Sequence, residues 1–168
     1  MRTVADTLES EYCKVLELLP SGRELLLRAG VGWKPGLVGS ATVGSELESQ
    51  AGYTLASAGP VIVSDLAYET RFNGPQLLLD HGVVSGMSVI IPGRSRPFGV
   101  LGVHTTRHRD FSPDDIHFLQ VVANILAAEI KRRQAEQTLR ESEHRFRALI
   151  EHSFDAIALF DRAGTVLY

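Results

Sequence analysis

Hydrophobic and polar residues alternate in two short runs near the start of the chain. The runs cover residues 12–18 and 24–28, and residues 20–22, Pro-Ser-Gly, stand between them as a turn. This alternation predicts a β-hairpin, because a period of two places one side of each strand against a core. Val4 and Leu8, four residues apart, indicate the end of a helix before the hairpin.

The middle of the chain is rich in turn residues and holds only short periodic segments. Residues 30–44 contain five glycines and one proline, which predicts a long loop. After this loop the pattern predicts a helix, a short buried strand, a helical turn closed by Gly82 and a pair of longer strands. These elements cover residues 49–58, 61–63, 76–81, 84–91 and 98–106.

A long helix is predicted after residue 112. Ser112 is a good N-cap, Pro113 suits the first helical position, and Asp115 can complete a capping box. Neither glycine nor proline occurs from there to Glu151, which predicts one continuous helix. Together the elements predict an α+β fold, with an antiparallel sheet of five or six strands flanked by helices and a long helix after the sheet.

The long helix shows a heptad pattern. Its segment 129–147 holds ten charged residues in nineteen, so this segment has little apolar surface for packing against its own domain. We therefore expect a parallel two-stranded coiled coil that makes the protein a homodimer, the alternative being a solvated helix end. The seam of the coiled coil would consist of Phe118, Val121, Ile125, Ala128, Arg132, Leu139, Phe146 and Leu149.

Composition narrows the class of protein. Of 168 residues, 44% are hydrophobic and 22% are charged, which excludes a disordered chain and an integral membrane protein. Seventeen Lys and Arg against twenty Asp and Glu give a net charge of −3, so we expect no nucleic-acid partner. No run approaches the ~20 apolar residues of a membrane span, and the N-terminus lacks the apolar core of a signal peptide. We therefore expect a cytoplasmic protein without a membrane partner.

Several segments of residues 1–132 together resemble a GAF domain. The resemblance implies a GAF-like antiparallel sheet and a sensory or regulatory role. It rests on the order and spacing of the hairpin 12–28, the segments 52–55 (GYTL), 59–66 (GPVIVSDL) and 69–72 (ETRF), the strands 86–91 (GMSVII) and 98–103 (FGVLGV), and the exit phrase 109–115 (RDFSPDD).

A second resemblance concerns the end of the chain. Residues 141–168 resemble the entrance of a PAS domain, with Ala163 and Gly164 at the turn of its first hairpin. The two resemblances imply a GAF domain over residues 1–131, a coiled-coil signalling linker helix over 132–148 and a truncated PAS start over 149–168. Such a chain resembles part of a bacterial sensor histidine kinase, whose PAS and kinase domains would be its downstream partners.

The GAF resemblance also implies a ligand pocket between the sheet and the segments of Tyr53 and Phe72. Either a small, mostly apolar cavity or a packed core without ligand fits the few polar groups there. Asp65 either bonds N–H groups of its loop or faces the ligand. The sequence shows neither a bilin-attachment cysteine nor a cyclic-nucleotide signature, so the cofactor is unknown. The candidate ligand-binding residues are Tyr53, Val63, Asp65, Phe72, Met87 and Val89.

No group of residues indicates catalysis or a metal site, and we expect the chain not to be an enzyme. His104 and His108 lie too far apart on a strand end to share a metal, and we expect a plain surface loop there. Cys13, the one cysteine, is expected to be a small core residue. His144 and His152 lack the acidic residue and the proline of a phosphoacceptor motif.

The sequence therefore predicts a sensory GAF module that binds an unidentified small ligand or transmits dimer conformation through its C-terminal helix. A ligand-free dimerisation spacer is the alternative. A GAF-fold reductase or another enzyme is less favoured.

Overall fold

The computed structural model describes residues 1–57, 59–151, 162, 163 and 165, without the side chains of residues 149–151. Within it the chain divides into a unit of Met1–Glu129 and a unit of Ile130–Tyr168. The expected PAS start over residues 149–168 falls mostly outside the described residues. His152 and the side chain of Leu149 lie outside them as well.

Six antiparallel strands form one sheet in the order β3-β2-β1-β6-β5-β4. The expected hairpin is confirmed, because β1 and β2 pair and Gly22 adopts the positive φ of +73° that glycine tolerates in a turn. The expected α+β architecture with an antiparallel sheet is confirmed too. The strands are β1 Tyr12–Leu18, β2 Glu24–Val31, β3 Thr42–Gly44, β4 Val61–Val63, β5 Ser85–Ile91 and β6 Gly99–Thr105.

Residues 30–44, expected to form one long loop, contain part of the sheet. Strand β2 continues to Val31, and β3 adds an edge strand in which Val43 pairs with Leu25. Such a strand is too short for its periodicity to be recognised, because it has a single buried residue, Val43. Between the two strands the chain folds back on the sheet, and the Trp33 indole N–H donates to the Cys13 carbonyl at 2.9 Å.

The two faces of the sheet carry different layers. Helix α1 (Arg2–Thr7) contacts β1, and the Cys13 thiol lies 3.6 Å from the sulfur of Met1. Helix α2 (Gln50–Ala56) packs against β5 and β6 on the other face. A 3-10 helix (Leu66–Tyr68) and helix α3 (Gln76–Leu79) contribute Leu66 and Leu78 to the core on the α2 face.

Helix α4 (Pro113–Glu151) confirms the expected long helix and its N-cap. The Asp115 amide donates to Ser112 Oγ at 3.1 Å, and the Ser112 amide donates to the Asp115 carboxylate at 2.9 Å, which is a reciprocal capping box. Among the described residues no helix is long and apolar enough to cross a membrane.

One side of α4 is buried and another is exposed. Leu119 and Ala123 are buried, whereas Ile125 and Leu139 are 62% and 60% exposed. All the predicted seam residues with described side chains are exposed except Phe118, which is half-buried. At the seam position with a charge, Arg132 forms an ion pair with Glu136 of its own helix.

Candidate functional site

Polar residues lie in the middle of the sheet on the face that α2 covers. Across three strands, Lys14 pairs with Gly102, and Gly102 pairs with Ser88. Residues two apart on a strand point to the same side of the sheet. The row of paired residues two positions from Lys14, Gly102 and Ser88 therefore lies on this face as well. That row contains His104, which pairs with Gly86 and Tyr12.

Helix α2 adds two polar side chains to this face. The Thr54 and Ser88 hydroxyls lie 2.7 Å apart, and Gln50 lies one helical turn before Thr54 on the same side of α2. We name the five residues Lys14, Gln50, Thr54, Ser88 and His104 the polar cluster. Each of them is at most 2% exposed.

The sheet has glycines, which carry no side chain, where the polar cluster lies. A Cβ atom on Gly102 would stand 3.1 Å from His104 Nε2 and 3.3 Å from Lys14 Cε, so these two side chains meet above Gly102. A Cβ on Gly86 would overlap the His104 ring, and a Cβ on Gly30 would lie 2.6 Å from the Trp33 ring. A larger residue at these positions would displace the side chains that build the site.

Lys14 is buried without a carboxylate partner. Its Nζ lies 5.6 Å from the centroid of the Trp33 ring, within the range of a cation–π contact. Among the residues that the structure describes, no carboxylate oxygen lies within 4 Å of it. Burial lowers the pKa of the Lys14 ammonium group from 10.5 to about 7. Close to neutral pH this lysine is therefore poised between its charged and neutral forms.

Two nitrogen atoms of the polar cluster have no hydrogen-bond partner. They are Gln50 Nε2 and His104 Nε2, both fully buried. Burial, together with the charge of Lys14, holds the pKa of His104 well below its ordinary 6.5, so its imidazole is neutral at pH 7. Buried polar groups in folded proteins are nearly always paired, so two unpaired nitrogen atoms among five buried polar residues are an unusual feature of this fold.

Trp33 lies over Lys14, and its ring packs against Tyr12 and against His81, which follows α3. Its ring centroid lies 4.9 Å from that of Tyr12 and 4.9 Å from that of His81. The His81 ring accepts from the Lys34 amide at Nε2 (3.1 Å), and its Nδ1 lies 2.7 Å from the Leu77 carbonyl. These partners assign the hydrogen to Nδ1 and tie the end of α3 to the Trp33 loop.

Comparison with protein-family models settles the family. The model of the GAF domain matches residues 1–130, which is most of the chain. The chain belongs to the GAF domain family. No curated protein matches it in sequence.

Solved structures share this GAF fold at low sequence identity. A GAF domain of an Acinetobacter phosphoenolpyruvate-protein phosphotransferase is 23% identical, with a TM-score of 0.69, over 82% of this chain and 80% of that one. A domain assigned to a two-component sensor histidine kinase of Sinorhizobium meliloti is 14% identical, with a TM-score of 0.67, over 83% and 91%. A free methionine-R-sulfoxide reductase of Neisseria meningitidis, solved with its substrate, is 18% identical, with a TM-score of 0.66, over 80% and 75%.

Three of the expected ligand-binding residues meet at the β4 edge of the GAF sheet. The rings of Tyr53 and Phe72 lie 5.6 Å apart, and Val63 belongs to the same apolar core. The Arg71 guanidinium lies within 6 Å of both rings and is bonded to the Glu69 carboxylate. These aromatic residues lie on the same sheet face as the polar cluster, because Val63 pairs with Gly86.

Asp65 bonds its own loop. Its Oδ1 accepts from the Ala67 amide at 2.9 Å, and its Oδ2 lies 3.4 Å from His108 Nε2. Of the two roles expected from the sequence, the contact with a loop N–H is the one observed.

Met87 and Val89 lie away from the other expected ligand-binding residues. Both are buried, but they alternate along β5 with Gly86 and Ser88, which face α2. Alternate residues of a strand point to opposite faces, so Met87 and Val89 lie on the far side of the sheet. The structure therefore does not bring Met87 and Val89 together with Tyr53, Val63 and Phe72, because residues that alternate along a strand lie on opposite faces.

Lys14, Gln50 and His104 were not recognised from the sequence. His104 was expected on a surface loop, but it lies within β6 and is buried. The alternation along the strands could have identified it. His104 lies two and four residues after Gly102 and Val100, and Lys14 lies two residues before Leu16, so each shares a face of the sheet with an apolar residue. Cys13 is buried as expected, and burial raises its thiol pKa from 9.0 to about 11.

Removing the hydroxyl of Thr54 tests the connection between α2 and the sheet. Thr54 Oγ1 donates to the Gln50 carbonyl at 2.7 Å, so the Ser88 hydroxyl donates to Thr54. Thr54→Val leaves the buried Ser88 hydroxyl unpaired, and we expect the free energy of unfolding to fall by about 1–3 kcal/mol. The measurement is urea denaturation followed by circular dichroism.

A double-mutant cycle and a surface control complete this test. Thr54→Val with Ser88→Ala removes both ends of the bond, so it should cost less than the sum of the two single variants. Thr138→Val makes the same chemical change at an exposed position of α4 and should change stability by at most about 0.5 kcal/mol. Additive effects of the Thr54 and Ser88 substitutions would contradict the connection.

Proposed function

We propose that this GAF domain is a regulatory module that binds a small molecule at the polar cluster and signals its occupancy through α4. The observation that carries the proposal is the burial of Lys14 beside two unpaired nitrogen atoms. Apolar residues of similar volume would make the same fold more stable, so stability alone does not account for this arrangement. Buried ionisable groups that lower the stability of the fold concentrate at functional sites.

The elements that cover the polar cluster are short enough to admit a ligand. Helices α2 and α3 contain seven and four residues, and irregular segments join them. Elements with few internal hydrogen bonds open locally at low free energy. We propose that a ligand enters by such an opening on the α2 side.

Helix α4 is the proposed output. Its residues up to Glu129 belong to the unit of the sheet, and its later residues belong to the second unit. The exposed stripe that includes Ile125 and Leu139 supports a homodimer formed through this helix. In this proposal ligand binding changes the pairing of the two helices, and downstream PAS and kinase domains respond.

The enzyme alternative has less support. Structures of methionine sulfoxide reductases share the fold at 16% and 18% identity, which shows the fold alone, and this chain has one cysteine. That residue, Cys13, is buried with a pKa raised to about 11, so it holds little of the reactive thiolate at neutral pH. The proposal therefore assigns the chain a binding role rather than a catalytic one.

Native mass spectrometry of the freshly purified chain tests the proposal. We expect a dimer that carries a small molecule and releases it on denaturation. Returning the released molecule should slow amide hydrogen exchange in α2 and change it in α4. A stable dimer that is empty in native mass spectrometry, and whose denatured sample releases no small molecule, would instead support the ligand-free spacer.

A further inference from the structure

We infer that the ligand of the polar cluster is a small carboxylate, bound by the Lys14 ammonium group with Gln50 and His104 as neutral donors. This inference rests on the proposed function and adds the chemical class of the ligand. It starts from the one cationic side chain of the cluster, which has an aromatic ring as its neighbour and no carboxylate within 4 Å among the described residues.

Two donors of the site, on Lys14 and His104, lie close together on the sheet. Lys14 Cε and His104 Nε2 both lie close to the point above Gly102 where a Cβ would stand. Gln50 lies on α2, which covers this face, one turn before Thr54, and the Thr54 partner Ser88 pairs with Gly102. The unpaired Gln50 Nε2 is a donor, and a neutral imidazole can present an N–H at Nε2. One cation and two N–H groups match the two oxygens of a carboxylate.

The charge of the site favours a monoanion. A phosphate group carries about −1.5 to −2 at pH 7, which one lysine in a buried site leaves partly uncompensated. A neutral ligand would leave the ammonium group without a counter-charge. A carboxylate supplies one negative charge and no donor when ionised, which is what the cluster lacks.

Aromatic residues next to the polar cluster determine what the ligand can carry besides its carboxylate. Trp33 lies over Lys14, and the Tyr53 and Phe72 rings lie farther along the same face towards β4. A carboxylate with a short apolar or aromatic body would place its charged end at Lys14 and its body against these rings. Lys14 and His104 pack directly over Gly102, where a Cβ would stand only 3.1 Å from His104 Nε2, so these side chains have to move to admit a ligand and only a small one fits.

Binding should be coupled to proton uptake. With a pKa of about 7, Lys14 is mostly neutral at pH 8, and a bound carboxylate restores its charge. The other titratable groups of the described residues around it are Tyr12 and Cys13 on its own strand, His104 on β6 and His81 beside Trp33. We expect uptake of about 0.9 proton at pH 8 and about 0.1 at pH 6, with the apparent Kd rising about tenfold per pH unit above pH 7.

The experiment compares acids with their uncharged analogues. The intact chain is titrated by calorimetry with acetate, pyruvate, succinate and benzoate, each paired with its amide where one exists, and with nitrate and inorganic phosphate. Two buffers of different ionisation enthalpy give the proton uptake. We expect at least one carboxylate to bind, its amide to bind at least about a hundredfold more weakly, nitrate to compete as a planar monoanion, and phosphate not to compete.

Two lysine variants locate the site. Lys14→Met should raise the Kd for the carboxylate at least about a hundredfold and remove its pH dependence, whereas Lys131→Met makes the same change at an exposed position and should have no effect. Lys14→Met removes a buried charge, so the variant is expected to fold, and circular dichroism checks this directly.

The outcomes separate this inference from the proposed function. Equal carboxylate binding by wild type and Lys14→Met, or no binding by any acid of the panel, overturns the carboxylate assignment. If the native protein still carries a small molecule that proves to be neutral or phosphorylated, the regulatory proposal stands without this inference. A native protein that is empty and binds no acid of the panel overturns both.

Discussion

Replacing Lys14 by methionine is expected to stabilise the GAF domain by on the order of 4 kcal/mol at pH 7. The folded environment lowers the pKa of this lysine from 10.5 to about 7, and each unit of pKa corresponds to about 1.4 kcal/mol. Methionine has a similar length, fills the same space against Trp33 and carries no charge to desolvate. Chemical denaturation of both proteins at pH 7 measures the difference.

The pH dependence of stability provides a second measure of the same effect. Between pH 7 and pH 10.5 the unfolded chain holds a proton on Lys14 that the folded chain has largely released, so the free energy of unfolding rises with pH. The penalty is fully present below pH 7 and disappears as the pH approaches 10.5. We expect a slope that is about half of 1.4 kcal/mol per pH unit at pH 7 and reaches about 1.4 from pH 8 to 9 in the wild type, and no such slope in Lys14→Met.

Two other groups define the range of this measurement. Cys13 has its pKa raised from 9.0 to about 11, so its contribution to stability falls above pH 9 and opposes that of Lys14 there. The lowered pKa of His104 matters only below its ordinary value of 6.5. Lys131→Met serves as the exposed control and should leave the slope unchanged. A Lys14→Met variant that is less stable than the wild type would contradict the assignment of Lys14 as a buried, uncompensated charge.

Glutamate at both Ile125 and Leu139 is expected to convert the proposed dimer into a monomer. These side chains are more than half exposed in the single chain and lie on the predicted seam. Burying one such side chain is worth about 1.5–3 kcal/mol, so a dimer loses about 6 kcal/mol or more from its four copies. This corresponds to more than about four decades in the dimer Kd, which analytical ultracentrifugation at micromolar concentration would detect.

A matched pair of substitutions separates seam burial from added charge. Gln120→Glu with Gln134→Glu introduces the same charges at exposed positions of α4 outside the seam and should leave the dimer intact. Because isolated polar helices are marginal, the monomeric variant should also exchange its amide hydrogens faster over residues 131–148. A wild-type chain that is a monomer at micromolar concentration, or a seam variant that remains a dimer, would contradict the dimer proposal.

Local chemistry made the elements of this fold predictable. The Pro-Ser-Gly turn of residues 20–22 determines the first hairpin, and Ser112 with Asp115 determines where α4 begins. Both signals act between residues close in sequence, so they need no knowledge of the rest of the chain. The strand β3 was missed because pairing with β2, and not its own composition, makes residues 42–44 a strand.

The candidate site was predictable only in part. Tyr53, Val63 and Phe72 are apolar or aromatic residues on segments that the GAF resemblance places around a pocket, and they do meet in one core. Met87 and Val89 were grouped with them by hydrophobicity, although their parity along β5 directs them to the other face. Lys14 was not recognised and His104 was expected on the surface, because a polar residue in a central strand has no local signature of burial.

The sequence by itself determined the helices, the hairpin, the family and the heptad stripe of α4, because these depend on turn residues, caps and the spacing of apolar side chains. Only the tertiary structure decided that Lys14 and His104 meet above Gly102 and that Gln50 is buried on the helix that covers this face. Their meeting requires β1, β6 and β5 to be neighbours in the sheet and α2 to cover them. That order brings together residues from distant parts of the chain, and desolvation then gives their side chains properties that none of them has in water.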